Sequence, residues 1–267
     1  MPYAFAFHYD PARPMRGEQA QWLLSSSVQG GPLDGVFETW RYVPRDQTKV
    51  RAGRPYDRRA VVDRIEDPKV ASIWLRSPPN ALGALCTVGA SAASAQGAAP
   101  GDRVVLIVDD ARLSTAHAVS LAQGLVFDDQ AVAGVVTHHS SYAAAEAIAL
   151  GAFDDGLAQE DADRAVFSAL ASSLWGEKIR GPGWMTYLSP SHLAALDRST
   201  KDEIRRICEA VIPVRRGALI QLPMTAAGTD RRALQRLSRA LGDLVVRPET
   251  LVISGSHDLN LNRPARE

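Results

Sequence analysis

The sequence is poor in cysteine and has no long apolar runs. Its 267 residues include two cysteines, Cys86 and Cys208, and neither has the C-x-x-C or Cys/His spacing of a zinc site. Two isolated cysteines argue against a disulfide framework and favour a reducing compartment. We interpret both as small buried hydrophobic residues.

No apolar run approaches the roughly 18–20 residues that a membrane span needs. The longest candidates, 131–136 and 143–152, are either short or interrupted by Glu146. No basic stretch precedes apolar residues at the amino terminus, and Asp10 comes too early for a secretory signal. We therefore expect a cytoplasmic protein with no membrane partner.

Familiar catalytic signatures are missing as well. There is no P-loop, no G-x-S-x-G, no H-E-x-x-H and no dinucleotide glycine fingerprint. His192 could form a nucleophile pair with Ser189 or Ser191. However, Pro190 between the two serines favours the cap and first turn of a helix. We predict no catalytic residue, no cofactor-binding residue, no metal ligand and no cofactor, hence a protein that is not an enzyme.

Two adjacent histidines and two adjacent aspartates keep an enzymatic alternative open. His138 and His139 end an apolar strand pattern, and Asp109 and Asp110 end another, so the four side chains could meet at one edge of a sheet. Adjacent strand residues point to opposite faces, so both histidines cannot bind one ion without a bulge. The alternative is a small metal-dependent hydrolase that uses His138/His139 and Asp109/Asp110.

Net charge is zero, with 30 basic and 30 acidic residues, but the charge is unevenly distributed. Residues 1–108 carry a net charge of +3, residues 109–163 a net charge of −9, and residues 164–267 a net charge of +6. An acidic segment of this kind attracts a basic partner and repels nucleic acid. The alternative is that it is a solvated face that its basic neighbours neutralise.

The acidic segment supplies our candidate partner-binding residues. Its members form three adjacent pairs and a short cluster: Asp109, Asp110, Asp128, Asp129, Asp154, Asp155, Glu160, Asp161 and Asp163. The pairs flank predicted helices and could therefore gather at neighbouring element ends. We predict that some of these residues form an acidic surface that contacts a basic protein.

Direct binding of nucleic acid is not expected. The basic stretch from Arg45 to Arg59 could bind phosphate, with Trp40 and Tyr42 available for stacking. It lacks the aromatic-interleaved pattern of nucleic-acid modules, and the neutral chain is a poor match to such a binder. A solvated loop is the simpler interpretation.

Strand and helix patterns alternate along the whole chain. Period-two or continuous apolar patterns predict strands that include 3–9, 36–43, 69–75, 84–88, 103–110, 132–140 and 183–189. Helical spacing marks segments that include 18–28, 57–66, 115–125, 143–153, 161–174, 190–196, 200–209 and 231–244. An apolar hairpin is expected around Arg215, Arg216 and Gly217.

This mixture predicts an α+β fold with largely antiparallel sheets and helices packed on them. The length fits either one continuous domain or two halves, which could be similar: an N-terminal α+β half over 1–142 and a C-terminal α+β half over 143–267. We expect Val104, Leu106 and Val108 in a central strand.

The segment 180–196, RGPGWMTYLSPSHLAAL, followed by ALIQLP at 218–223, resembles the immunity protein 52 family of polymorphic and type VI secretion toxin systems. The resemblance is best over residues 180–247. It implies a noncatalytic protein whose partner is a cognate toxin, often a nuclease, and which acts by blocking the toxin's active site or its assembly. A homo-oligomer is left open.

The motif residues themselves favour an architectural role. Trp184 and Tyr187 are expected in the core, and Gly183 is expected where two backbones approach closely.

Overall fold

A ten-stranded antiparallel sheet organises the fold. The computed structural model describes residues 1–10, 13, 15–28, 31–44, 52–77, 84–89, 103–127, 130–138, 176–179, 181–225, 228–245, 252–253 and 259–260. The strands of the large sheet are β1 (Pro2–Tyr9), β4 (Thr39–Pro44), β5 (Arg54–Pro55), β6 (Val70–Arg76), β7 (Ala84–Gly89), β8 (Arg103–Asp109), β9 (Ala131–His138), β10 (Met185–Leu188), β11 (Ala210–Val214) and β12 (Gly217–Gln221).

The spatial order of these strands is β11, β12, β10, β9, β1, β8, β7, β6, β4, β5. All of these neighbours pair antiparallel, which confirms the predicted fold class. Strand β10, from the predicted C-terminal half, pairs with β9 from the predicted N-terminal half. One sheet therefore runs through both halves, and the division at residue 142 stays a prediction.

The helices are α1 (Gly17–Ser25), α2 (Arg58–Ile65), α3 (Thr115–Leu125), α4 (Pro190–Ala195), α5 (Arg198–Ile207) and α6 (Arg231–Leu241). Short 3-10 helices cover Leu33–Val36 and Gly242–Leu244. The remaining described strands form three two-stranded antiparallel ladders: β2 (Ser27–Val28) with β3 (Gly31–Pro32), β13 (Met224–Thr225) with β14 (Gly228–Thr229), and β15 (Val252–Ile253) with β16 (Leu259–Asn260). No helix of the described chain is long and apolar enough to span a membrane.

The central strands are buried on both faces. Tyr3, Phe5, Phe7 and Tyr9 of β1 lie on one face and pack with α1, α2 and α3, as their period-two spacing predicts. The intervening Ala4 and Ala6 belong to a smaller cluster with Val105 and Ile107. Burial on both faces explains the uninterrupted apolar run of β8, whose Val104, Leu106 and Val108 are fully buried as expected.

A second core lies under α5 and α6, against β10 and β12. Leu188 and Ile220 point into it, whereas their neighbours Tyr187 and Leu219 point into the first core. Asp197 caps α5 and Asp230 caps α6 through backbone N–H groups. The Glu203 carboxylate of α5 accepts a hydrogen bond from Arg236 of α6 at 2.7 Å, which ties the two helices together.

Three predicted boundaries were wrong. Helix α1 ends at Ser25, not Val28, because residues 27–28 pair with residues 31–32. Residues 33–36 form a 3-10 turn, so the strand expected from Val36 begins at Thr39. Helix α5 begins at Arg198, not at residue 200, because the Asp197 carboxylate caps the helix by accepting the Thr200 N–H at 2.7 Å.

Cys208 is a free thiol, and burial raises its pKa to about 12. Cys208 is partly buried and packs against the second core, so the predicted hydrophobic role fits but full burial was wrong. The side chain of Cys86 lies outside the described part of the chain.

Candidate functional site

The candidate site lies where three central strands end. Strand β1 runs antiparallel between β8 and β9, and the register places Pro2 opposite Asp109 and Tyr3 opposite His138. The ends of β8 and β9 therefore meet beside Met1. The predicted proximity of His138 to the aspartate pair is confirmed, since His138 Nε2 lies 3.4 Å from Asp110 Oδ2.

Asp110 is the most heavily engaged carboxylate of the site. It accepts a hydrogen bond from the Met1 amino nitrogen at 2.8 Å, while Asp109 lies 4.0 Å from the same nitrogen. Burial raises the pKa of Asp110, but the hydrogen bond and charge of the Met1 amino group outweigh it, and the net pKa falls below the usual 3.8. Asp110 is therefore ionised at neutral pH.

His138 is nearly enclosed. Its side chain is 6% exposed, and its ring lies 4.6 Å from the Tyr3 ring. Burial lowers the pKa of His138, the Asp110 carboxylate raises it in part, and the net pKa lies below 6.5. The imidazole is therefore neutral at pH 7.

Tyr3 connects this pair to the core. Its hydroxyl lies 3.1 Å from Thr115 Oγ1 at the start of α3, and its ring lies 5.2 Å from Trp184. Trp184 is 1% exposed and Tyr187 is fully buried, so both predictions of a core position are confirmed. His138 thus extends a row of tilted aromatic contacts that starts in the core.

The chemistry of the pair follows from this enclosure. A general base must come within hydrogen-bond distance of a substrate proton, and the His138 side chain is 6% exposed. Among the described residues no group of three or more His, Cys, Asp or Glu side chains could hold a metal ion. His139 lies outside the described residues, so the hydrolase alternative has the His138–Asp110 contact as its structural support.

Acidification should destabilise the fold through His138. Burial lowers the pKa of His138 in the folded chain. At pH values between this lowered pKa and 6.5, the unfolded chain therefore binds a proton that the folded chain does not bind. Stability should therefore fall as the pH drops below 6.5. Among the described residues, the charged groups that act on His138 are the Met1 amino group and the Asp110 carboxylate. The pKa of Asp110 lies below 3.8, so Asp110 titrates in a lower pH range.

Thermal unfolding between pH 7.5 and 5 measures this effect. His138→Gln should flatten the pH dependence of the melting temperature. His117→Gln is the matched control because His117 is exposed, and it should keep the wild-type dependence. Superimposable curves for wild type and His138→Gln would contradict the prediction.

The predicted acidic surface is only partly placed by the structure. Asp109 and Asp110 lie together at the end of β8, where Asp110 contacts Met1 and His138 and stays 39% exposed. The other seven residues lie outside the described part of the chain: Asp128, Asp129, Asp154, Asp155, Glu160, Asp161 and Asp163. The acidic surface as a whole stays a prediction.

The segment Ser189 to His192 is a helix start, as predicted. The Ser189 hydroxyl accepts from the His192 N–H, and Pro190 occupies the first turn of α4. The His192 Nδ1 atom in turn lies 3.3 Å from the Ser189 backbone N–H. These contacts stabilise the helix end, and His192 is buried.

Sequence reasoning overlooked Trp22. It lies in α1 and is 41% exposed, although Ala20, Leu23 and Leu24 of the same helix are buried. A signal was available, because Glu18, Trp22 and Ser25 follow the spacing of a single helix face and two of the three are polar.

Comparison with known proteins gives a likeness in fold to solved structures. No protein-family model matches the sequence, and no curated protein matches it significantly. The fold is similar to that of a T6SS (type VI secretion system) protein from Pseudomonas aeruginosa, with a TM-score of 0.55 and 13% sequence identity. The similarity covers 93% of this chain and 73% of that one. At this identity the likeness concerns the fold.

Proposed function

We propose that the chain is an immunity protein that binds and neutralises an effector of a type VI secretion system, and that this effector is a nuclease. The observation that carries the proposal is the fold likeness to a T6SS protein over 93% of the chain. The second ground is the resemblance of the segment 180–196 to the immunity protein 52 family, although no family model matches the chain. The immunity role, the nuclease partner and the cytoplasmic location belong to this proposal.

The arrangement of the site supports a binding role. The His138 ring packs against the Tyr3 ring, and the Asp110 carboxylate accepts a hydrogen bond from the Met1 amino group. Both contacts stabilise the ends of β1, β8 and β9. A nuclease must present a basic surface to its phosphate substrate. The net charge of −9 over residues 109–163 complements such a surface, and charge complementarity mainly raises the association rate and specificity.

Co-expression tests the proposal. The polypeptide encoded beside this chain's gene is expressed in a bacterial host with and without this chain, and growth and complex formation are measured. We expect the neighbour to arrest growth, this chain to restore it, and the two to elute together. Restored growth without a complex would contradict a neutralising contact.

The histidines separate this proposal from the hydrolase alternative. His138→Ala with His139→Ala should leave protection intact, because binding needs no acid or base at these positions. Loss of protection with an unchanged melting temperature would contradict the proposal. A stoichiometric transition metal in the purified wild type, lost in the double variant, would favour the hydrolase.

A further inference from the structure

Two arginines and a tryptophan lie together on the face of the large sheet that is turned away from the first core. Strand β4 pairs antiparallel with β6, and the register places Arg41 opposite Trp74 and Thr39 opposite Arg76. Residues opposite each other in such a pair share a face, and so do residues two apart on one strand. Arg41, Trp74 and Arg76 therefore project from the same face, where the two arginines are diagonal neighbours.

The aromatic residues on either side of Arg41 point the other way. Trp40 is buried in the first core, and Tyr42 packs against the same core. The burial of Trp40 removes it from the stacking role that its sequence position beside the basic stretch allows. Trp74, in contrast, packs against the smaller cluster on the opposite face of the sheet and is half-buried.

Trp74 holds Arg41 in place. The Trp74 indole Nε1 donates a hydrogen bond to the Ser72 hydroxyl at 3.0 Å, and Ser72 is buried. The Arg41 guanidinium carbon lies over the Trp74 ring, 5.5 Å from its centre, which is the range of a cation–π contact. The guanidinium is thus oriented before any ligand arrives, and this reduces the entropy that binding costs.

Arg41 has a buried donor that lacks an acceptor. Its Nε atom is buried and has no hydrogen-bond partner in the part of the chain that the structure describes. A buried N–H group of a charged side chain is costly to leave unpaired. An oxyanion that contacts Nε and a neighbouring Nη of the same guanidinium would satisfy it, and planar guanidinium groups bind carboxylate and phosphate oxygens in this two-point manner.

The two guanidinium charges have no counter-ion among the described acids. Burial and then the charge of Arg76 lower the pKa of Arg41, as expected for two cations at close range. Arginine nevertheless stays protonated at neutral pH. The described arginines that pair with an acid are others: Arg13, Arg64, Arg205, Arg206 and Arg236. Two unpaired like charges on one face favour an anion that contacts both.

The charge of the pair indicates which anion fits. A carboxylate carries one negative charge, whereas a phosphate monoester carries about 1.5 to 2 negative charges at pH 7 and offers three strong acceptor oxygens. The phosphate monoester therefore matches two guanidinium groups in charge and in acceptors. A nucleic-acid backbone is bound through a longer series of phosphate contacts, and β4 and β6 carry no further Lys or Arg.

We propose that Arg41 and Arg76, together with Trp74, form a binding site for a phosphate dianion, either free or as the terminal group of a monoester. Arg41 makes the two-point contact through Nε and one Nη, and Arg76 supplies the second charge from the neighbouring strand. Strand β7 separates this phosphate site from β8 and the His138–Asp110 pair. The inference goes beyond the proposed immunity function and does not depend on it.

Calorimetric titration of the full chain with inorganic phosphate at pH 7.5 tests the site. Wild type should bind phosphate saturably, and its melting temperature should rise with phosphate concentration. Arg41→Gln and Arg76→Gln should each weaken binding by about tenfold or more, the scale of lost hydrogen bonds to a charged group. Absence of saturable binding to wild type would overturn the proposal.

Arg54→Gln is the matched control for these two variants. Arg54 is an exposed arginine of the neighbouring strand β5, and the register places it opposite Trp40, on the other face of the sheet. Its replacement removes the same charge and should leave the affinity for phosphate within about twofold of wild type, because Arg54 makes no direct contact with the site. Equal losses in all three variants would show that phosphate responds to overall charge, which would overturn the proposal.

Arg41→Lys separates the geometry of the guanidinium from its charge. It keeps the positive charge but has no planar pair of donors, so it should lose most of the affinity that Arg41→Gln loses. A wild-type affinity in Arg41→Lys would contradict the two-point contact at Nε. Arg76 is exposed, so Arg76→Gln keeps the test valid if changes at the half-buried Arg41 lower the melting temperature without phosphate.

Further ligands identify the source of the phosphate. A nucleoside monophosphate that binds as tightly as inorganic phosphate would assign the site to monoesters, and one that binds much more weakly would assign it to free phosphate. Acetate should bind about tenfold more weakly or less, because it carries a single charge, and equal affinity would overturn the phosphate assignment. Tighter binding of a single-stranded oligonucleotide without terminal phosphates, lost in Arg41→Gln, would overturn it in favour of nucleic acid.

Discussion

Trp184→Ala should lower the free energy of unfolding by about 3–5 kcal/mol, the usual cost of removing a buried aromatic side chain. Trp184 is 1% exposed and lies against Tyr3 in the first core. Removing the indole leaves a cavity beside the Tyr3 ring, which backbone shifts can close only by disturbing the central strands. Urea unfolding, followed by far-UV circular dichroism, measures the change as a lower midpoint.

Two controls sharpen this result. Trp184→Phe should cost much less, about 1.5 kcal/mol or less, because the buried indole Nε1 has no hydrogen-bond partner among the described residues and most of the ring volume is kept. Trp22→Ala makes the same change at a tryptophan that is 41% exposed and should cost less than Trp184→Ala. A loss at Trp184 no larger than the loss at Trp22 would contradict its place in the core.

The sequence was most informative where burial is simplest. Strand β1 alternates large and small residues because its faces pack differently: Phe5 and Phe7 meet helices, whereas Ala4 and Ala6 lie in a tighter cluster. Strand β8 is continuously apolar because it is central. Both patterns are local features of the sequence, so both could be predicted without knowing which strands pair.

Boundaries that depend on pairing or on competing caps were harder to predict. Nothing in the helical spacing up to Val28 indicates that Ser27 and Val28 pair with Gly31 and Pro32. For α5, both Thr200 and Asp197 have the chemistry of a cap, and the Asp197 carboxylate occupies the position. A periodicity argument cannot rank two such alternatives.

The candidate site also combines features that local sequence patterns predict with features that depend on strand pairing. That His138 and Asp110 end neighbouring strands could be read from the apolar runs before them. The position of the amino end of β1 between His138 and Asp110 could not be predicted, because it depends on the pairing of β1 with both β8 and β9. The contact between Met1 and Asp110 is a consequence of this long-range pairing.

Gly183→Ala should destabilise the fold by about 1–3 kcal/mol, the scale of overpacking in a well-packed interior. A Cβ atom at residue 183 would lie 2.5 Å from the Val136 carbonyl oxygen and 2.5 Å from Val135 Cγ2. The Val136 oxygen belongs to the backbone of β9, so relief requires a shift of that strand or of β10. This confirms the predicted close approach of two backbones at Gly183.

The consequence reaches the candidate site, because Thr137 and His138 follow Val136 in β9. The backbone N–H of Gly183 also donates to Thr186 Oγ1 at 3.1 Å, a contact that a shifted strand would lengthen. Gly35→Ala is the control, since nothing lies within 4 Å of its added Cβ atom, and it should leave the urea midpoint nearly unchanged or slightly higher. Equal midpoints for the two variants would show that β9 and β10 accommodate a methyl group, contrary to the close packing described here.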